Sequence, residues 1–455
     1  MANTRITRSI SSGSTTNKFT LSFWIKKSTI SGSSDMWLFE KYNNGSARTW
    51  IRFNTDTGSP RLEVSEYTGT YVFRKILNRV FRDVGAYYHI HIEFNSTLGT
   101  EADRLKIYIN GVQETSFATT NHPALNSTSI IANAGNQHFG YSENGNGNYF
   151  SGIMSHINFT DGYAYAPTAF GEYDANGVWK IKTSPSVTYG TNGFFILKDG
   201  NSVTDQSGNS NNFTVGGGTL TNTEDSPSNV FATLNPLAGS TDATFIAGNT
   251  TAYFGTASSR SILTSTLGAV SGKYYWECKI GGNVSPNNAT LGVGLSSSYT
   301  ADSNPVGYKS DSWGYKGWDG TVFNNSSSVG GTWSTFGDGD IIGVAVNLDN
   351  EQGGLNKLYF SKNGVWQNGA DPSNFTSATG VVGITKPENG DTGFLFAQFG
   401  DGGSSATPRF EVNFGNGYFQ QTAVSSAGTN ASGNGVFEYD VPTGYTALST
   451  KGLNL

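Results

Sequence analysis

Two short stretches constrain this chain most: RLKIYINGV at 104–112 and NKLYFSKNGVW at 356–366. Each alternates apolar and polar residues and runs into Asn-Gly, the pair suited to the two positive-φ positions of a tight hairpin turn. In RLKIYIN, Leu105, Ile107 and Ile109 share one face and Lys106, Tyr108 and Asn110 the other, the pattern of a strand buried on one side. Each stretch also follows an aromatic strand at nearly the same distance. From Trp24 in FTLSFWIKK to Asn110 is 86 residues, and from Trp276 in KYYWECKI to Asn363 is 87. The pattern predicts two β-sandwich modules of one general plan in tandem.

At 455 residues, two or three domains are expected. Charged residues make up 14%, well under the roughly 25% of average soluble proteins, and 59 glycines are about twice the usual share. Low charge with many small polar residues suits disorder. Here 22 Tyr, 29 Phe and 9 Trp supply ample core, so the composition reads as strands joined by polar turns. Net charge is −6 and uneven: residues 1–230 carry 18 basic and 18 acidic side chains, 231–455 carry 10 and 16. Neither half has the basic stripe that nucleic-acid binding needs, and Lys and Arg are too dispersed for an anionic membrane surface.

The single cysteine, Cys278, shares a face with Tyr274, Trp276 and Ile280, which predicts a buried thiol and not a nucleophile. With no disulfide framework, stability rests on packing. The N-terminal text MANTRITRSISSGS lacks an apolar signal core, and no run approaches the ~18–20 apolar residues of a membrane span. Synthesis in a cytosol is expected.

Strand-like runs separated by turn signals such as Asn44-Gly45, Asp161-Gly162 and Asp319-Gly320 recur along the chain, as in a sandwich or barrel. One stretch, YVFRKILNRVFRD, has apolar residues at 72, 73, 76, 77, 80 and 81, a helical spacing. It lacks a good N-cap and is rich in β-branched and aromatic residues, so its end is expected to be a strand after a short helical turn. The domain reading is an N-terminal arm at 1–16, a sandwich at 17–182, a linker with one strand at 183–240, and a second sandwich at 241–455 with an insertion near 416–436.

The second half resembles the SPRY domain. SGKYYWECKI, LGVGLS, DSWGYKGWDGTVFNN, GDGDIIGVAVNLDN with NKLYFSKNGVW, FEVNFGN and FEYDVPTGYTALST match its motifs in order. The first half resembles laminin-G/pentraxin-like lectin domains through FTLSFWIKK, RDVGAYYHIHI, RLKIYINGV, the stretch from FSGIMSHINF to GVWKIK, and DQSGNSNNFTV. The resemblances imply an all-β fold of two tandem concanavalin A-like jelly-roll sandwiches, laminin-G-like then SPRY-like. The full order is similar to structural proteins of marine tailed bacteriophages, which implies a virion component.

Some folds of this class are glycosidases, commonly with Glu-x-Asp-x-x-Glu on one strand. The nearest text, Glu101-Ala-Asp103, has Lys at 106, so the pattern fails. No zincin, Walker or nucleophile-elbow motif is present, and no enzyme is expected. His89, His91 and Glu93 alternate onto one face as a workable set of metal ligands, but the segment supplies no further ligand, YYHIHIEF reads as an ordinary strand with its polar residues outward, and His89 falls where the lectin family places a packing histidine. Asp205, Asn209 and Asn211 offer loop oxygens to calcium, or serve only the turn. No other cofactor is expected. Because SPRY domains bind through loops at one end of the sandwich, Tyr308, Trp318 and Trp366 are candidate ligand contacts, while Trp313 and Tyr315 belong to a core strand.

These readings together predict a fibre or knob-type tail or capsid appendage, located in the virion, oligomeric, and binding host-surface polysaccharide or neighbouring virion proteins. The arm with Arg5 and Arg8 is a candidate anchor to such a neighbour. The alternatives are a capsid decoration protein without receptor binding and, third, a polysaccharide depolymerase.

Overall fold

The computed structural model describes residues 3–454 apart from 30–34, 56–59, 146, 199–201, 240–242, 255–261, 283–284, 286–287, 296–304, 350–355, 385–392 and 403–406. The fold is all-β and divides into two compact units, Met1–Asn222 and Thr223–Leu455.

The first unit packs two antiparallel sheets face to face. One has eight strands, in the order Phe117–Asn121, Tyr71–Val80, Arg61–Thr68, Ala47–Asn54, Met36–Asn44, Gly135–Phe139, Arg5–Ile10 and Thr214–Gly217. The other has six: Phe194–Ile196, Gly152–Asp161, Lys18–Lys27, Tyr88–Asn95, Leu105–Ile109 and Val112–Gln113. Alternation sends Phe19, Leu21, Phe23 and Ile25 inward with Ile90, Ile92, Leu105, Ile107 and Ile109, against Ile51, Phe53, Leu62 and Phe73 from the facing sheet. Two buried lysines tie structure across this interior. Lys27 Nζ donates to the Phe81 carbonyl at 3.0 Å and Lys75 Nζ to that of Leu105 at 2.6 Å. Burial lowers both amines to about 8.

Three expectations are corrected in this unit. Residues 1–16 are not an arm: Arg5–Ile10 is an inner strand, paired on both sides. Arg8 is buried and donates to the Asn192 carbonyl and Asn211 Oδ1, so it is no anchor for another protein. Tyr71–Val80 is one continuous strand with no helical turn. Its inward positions are Phe73, Lys75 and Leu77, and the lysine in the middle breaks the apolar alternation that would have revealed it.

The second unit repeats the plan. A seven-stranded sheet runs Leu234–Gly239, Ile262–Ala269, Leu395–Asp401, Ala289–Gly294, Ser312–Lys316, Val322–Asn324 and Ser327–Ser328. It faces a nine-stranded sheet centred on Lys273–Gly282, Ile341–Asn347, Asn356–Lys362 and Pro408–Asn413. Tyr274, Trp276, Cys278 and Ile280 all point into the core, as alternation predicts, and burial pushes the thiol far above its ordinary range. The expected linker is divided: Phe194–Ile196 and Thr214–Gly217 complete the first unit, and Leu234–Gly239 opens the second. The boundary expected at 240/241 lies outside the described residues.

Both Asn-Gly hairpins form, with the same wiring. Asn110 and Asn363 have φ of 51° and 48°, and Gly111 and Gly364 have 77° and 81°. Each asparagine side chain accepts the N–H of the strand opposite, His89 in one case and Ile341 in the other, both at 2.8 Å. That wiring also corrects the spacing. Trp24 pairs with His89, and Ile341 pairs with Lys279, so Lys279 is the counterpart of Trp24. Trp276 corresponds instead to Leu21. The two tryptophans therefore face opposite ways, and the agreement between 86 and 87 residues is coincidental.

Candidate functional site

Strand Ser312–Lys316 turns Trp313 and Tyr315 into the core and Ser312, Gly314 and Lys316 to the outer face. The loop before it lies flat on that face because Gly314 has no side chain: a Cβ there would stand 2.2 Å from the Val306 carbonyl oxygen. The loop thereby brings Tyr308 to the strand's end, stacked on Phe323 with ring centroids 5.8 Å apart. The following turn carries Trp318, whose ring packs on Gly402, where a Cβ would come within 2.2 Å.

Lys316 lies at the centre of these rings, only 3% exposed. Its Nζ is 3.0 Å from the Phe323 centroid, 4.9 Å from that of Tyr308 and 5.0 Å from that of Trp318, and it donates to Tyr308 Oη at 3.3 Å. No carboxylate pairs with it among the described residues. Tyr308, Trp318 and Phe323 are each partly exposed, so the cluster presents aromatic edges to solvent around a shielded cation.

Trp366 does not join them. It sits on the other sheet, in the short strand after the Asn363 turn, and packs edge-on against Tyr275 at 6.2 Å. There it adjoins a second apolar layer of Phe231, Tyr275, Tyr359, Phe437, Val441 and Tyr445.

His89, His91 and Glu93 do share the outer face of their sheet, but residues 162–182 cover it. The His89 ring lies between Trp24 and Trp179, with centroids 4.7 and 5.8 Å away. The Trp179 indole N–H donates to His89 Nδ1 at 3.0 Å. An indole can only donate, so the imidazole proton sits on Nε2, which donates to Ser22 Oγ at 2.7 Å. A histidine that activates serine needs its lone pair at that position, and here the proton occupies it. His91 Nε2 donates to the Tyr165 carbonyl at 2.9 Å, and Glu93 accepts from Tyr108. Three of the four imidazole nitrogens are thus turned to Trp179, Ser22 and the Tyr165 carbonyl, and His91 Nδ1 is buried with no hydrogen-bond partner among the described residues. Among the described residues no group of three His, Cys, Asp or Glu side chains is arranged to hold an ion.

The Asp205 loop is equally committed. Its carboxylate accepts the N–H groups of Phe195, Ser207 and Asn211 at 2.8–2.9 Å and the Ser207 hydroxyl at 2.7 Å. Asn209 and Asn211 turn their amide nitrogens to the Gly190, Thr191 and Gly193 carbonyls, and Asn211 Oδ1 accepts from Arg8. These atoms fix the turn. Glu101 and Asp103 lie in a short 3-10 turn with no buried residue, Asp103 paired with Lys106 at 3.3 Å.

Lys316, Phe323 and Trp179 were missed in the sequence. The available signal for Lys316 was a lone basic residue at an outward strand position between two aromatic turns. For Trp179 it was a His-x-His strand flanked by Trp24, which needs a lid to stay buried. Both contacts join residues far apart or in loops, where alternation says nothing.

Comparison with known proteins finds a different family match in each half of the chain. Residues 3–165 match the concanavalin A-like lectin/glucanases superfamily and residues 273–383 match the SPRY domain. Over 102 residues the chain is 36% identical to Ran-binding protein 9 of Homo sapiens, covering 22% of this chain and 13% of that protein. It is 35% identical over 95 residues to the Ran-binding proteins 9/10 homolog of Drosophila melanogaster, covering 21% and 9%. The chain therefore spans a small part of the length of these relatives. Among solved structures it is similar to the SPRY domain of human HERC1, at 19% identity and a TM-score of 0.29 over 39% of this chain and 96% of that one. It is also similar to the heptameric SAP-like pentraxin from Limulus polyphemus, at 15% identity and a TM-score of 0.26 over 36% and 73%.

These findings correct the expected role and location. The matched relatives are Ran-binding proteins of animals, which are not virion components, and nothing found supports a phage origin, a tail or capsid appendage, or polysaccharide as ligand. The chain combines a laminin-G-type concanavalin A-like domain with a SPRY domain.

Proposed function

We propose that this chain is a binding protein without a reactive centre, and that its SPRY domain docks a partner protein through the cluster of Tyr308, Trp318 and Phe323 around Lys316. The match of residues 273–383 to the SPRY domain carries the reading. Relatives whose names declare binding to Ran support a protein as the class of ligand. The composition of the cluster suits that role, because large aromatic side chains on a rigid strand end lose little entropy on contact. The proton on the wrong nitrogen of His89 and the shielded thiol of Cys278 argue against the two groups nearest to nucleophilic chemistry.

Affinity capture with the full chain as bait, followed by titration of the recovered partner, tests this. Trp318→Ala should weaken the partner by about tenfold or more while leaving the thermal transition in place. A partner bound equally by the variant, or turnover of a captured molecule, would overturn the reading.

A further inference from the structure

Resting on that reading, we propose that the docking site selects an acidic segment of its partner, with the Tyr308 hydroxyl, backed by the Lys316 ammonium, receiving a carboxylate. A buried cation needs a counter-charge or compensating contacts. Lys316 has ring faces and one phenol oxygen, and no carboxylate among the described residues pairs with it. Asp319 lies nearby in sequence, but its Oδ1 accepts the Thr321 N–H and holds the turn.

The direction of one hydrogen bond decides what the site can receive. Lys316 Nζ can only donate, so Tyr308 Oη is the acceptor in that contact, and the phenol proton is left to point elsewhere. The phenol is only partly buried, and its proton is the donor offered to solvent or to a ligand. An ammonium at 3.3 Å polarises that O–H toward an incoming anion. The three surrounding rings exclude water, which strengthens attraction for a negative group and penalises a positive one. A lysine that is itself shielded thus acts through the tyrosine, which makes Lys316 a positioning residue and Tyr308 the contact.

A randomised synthetic peptide array, probed with the full chain and its Lys316→Met and Lys316→Arg variants, tests the inference. The native chain and Lys316→Arg should select peptides enriched in Asp or Glu at one position. Lys316→Met, similar in shape but neutral, should lose that enrichment and bind the selected peptide about tenfold more weakly. Should Lys316→Met unfold, Tyr308→Phe keeps the ring, removes only the hydroxyl, and should show the same loss. Selected peptides without acidic enrichment, or equal binding by the neutral variants, would overturn the inference and leave protein docking intact. An array with no bound peptide for the native chain would overturn both.

Discussion

The two sandwiches cover the outer face of the hairpin-bearing sheet with different chemistry. In the first, residues 162–182 lay Trp179 over His89 and Phe170 beside His91. In the second, the chain after residue 413 lays Phe437 on Tyr275 at 5.0 Å and gives the N–H groups of Glu438 and Tyr439 to Glu277, at 2.9 and 2.8 Å. The end of residues 416–436, expected to be an inserted loop, is tied into this cover: buried Asn434 donates to Thr446 and Ser449, and Asn413 donates to the Val436 carbonyl. A cover built of irregular backbone carries N–H groups that no ladder satisfies, and a buried carboxylate accepts several at once. A cover that presents an indole needs only one acceptor, which neutral imidazole supplies. The sheet chemistry follows from what the cover brings.

The largest effect separates the two tryptophans that the spacing had equated. Trp276 is in the core and touches Phe414, so Trp276→Ala should cost about 3–5 kcal/mol. Trp24 lies outside the core, between its sheet and the cover, and Trp24→Ala should cost about half as much because the cover can settle. Denaturant unfolding of the full chain, with each unit's transition followed separately, measures both. Equal losses would break the assignment of opposite faces.

Opposite titration is the next test. Desolvation holds His89 well below 6.5 and His91 at about 3, so each keeps a neutral ring that the unfolded chain would protonate. Their contribution is present above pH 6.5 and is lost as pH falls. Desolvation pushes Glu277 up to about 7, against its hydrogen bonds, while an unfolded carboxyl titrates near 4.5. Its contribution is therefore fully present below pH 4.5 and lost as pH rises to about 7. That window is worth about 3 kcal/mol at about 1.4 kcal/mol per pH unit. In the first sandwich Glu40 and Glu66, also pushed to about 7, oppose the histidines and flatten the dependence. The second sandwich has no histidine. Calorimetry of the full chain at about pH 7.5 and about pH 5 should show the second transition rising on acidification and the first moving less. A second transition that falls would remove Glu277 from this role.

What was legible followed from alternation and turn chemistry. Cys278 in the core and both Asn-Gly turns needed only local text. What stayed hidden was set by pairing at long range. The strand Arg5–Ile10 has three polar residues in a row, Thr7, Arg8 and Ser9, which break its alternation, and it reads as an arm until its partners, 135–139 and 214–217, are known. Lys75 disguises its strand because its solvation comes from a carbonyl 30 positions away. In the candidate site, Tyr308 and Trp318 were visible as loop aromatics, but the cation that unites them, and the sheet that separates them from Trp366, were not.

The smallest predicted difference concerns the turn glycines, which do two things in each hairpin. Both have positive φ, and both lie beneath a ring of the covering segment: a Cβ on Gly111 would stand 2.5 Å from Trp179, and one on Gly364 2.6 Å from Tyr439. Alanine in such a turn costs about 1 kcal/mol from backbone strain alone. The ring contact adds to this unequally. Trp179 is buried and bound to His89, so it cannot yield without exposing the imidazole, whereas Tyr439 is half-buried and can tilt into solvent. Gly111→Ala should therefore cost about 2–3 kcal/mol and Gly364→Ala about 1–2 kcal/mol. Adding Trp179→Ala to Gly111→Ala should cost less than the two separate losses together, because the clash is then already gone. Simple additivity would show that the glycine serves the turn alone and that the cover is indifferent to it.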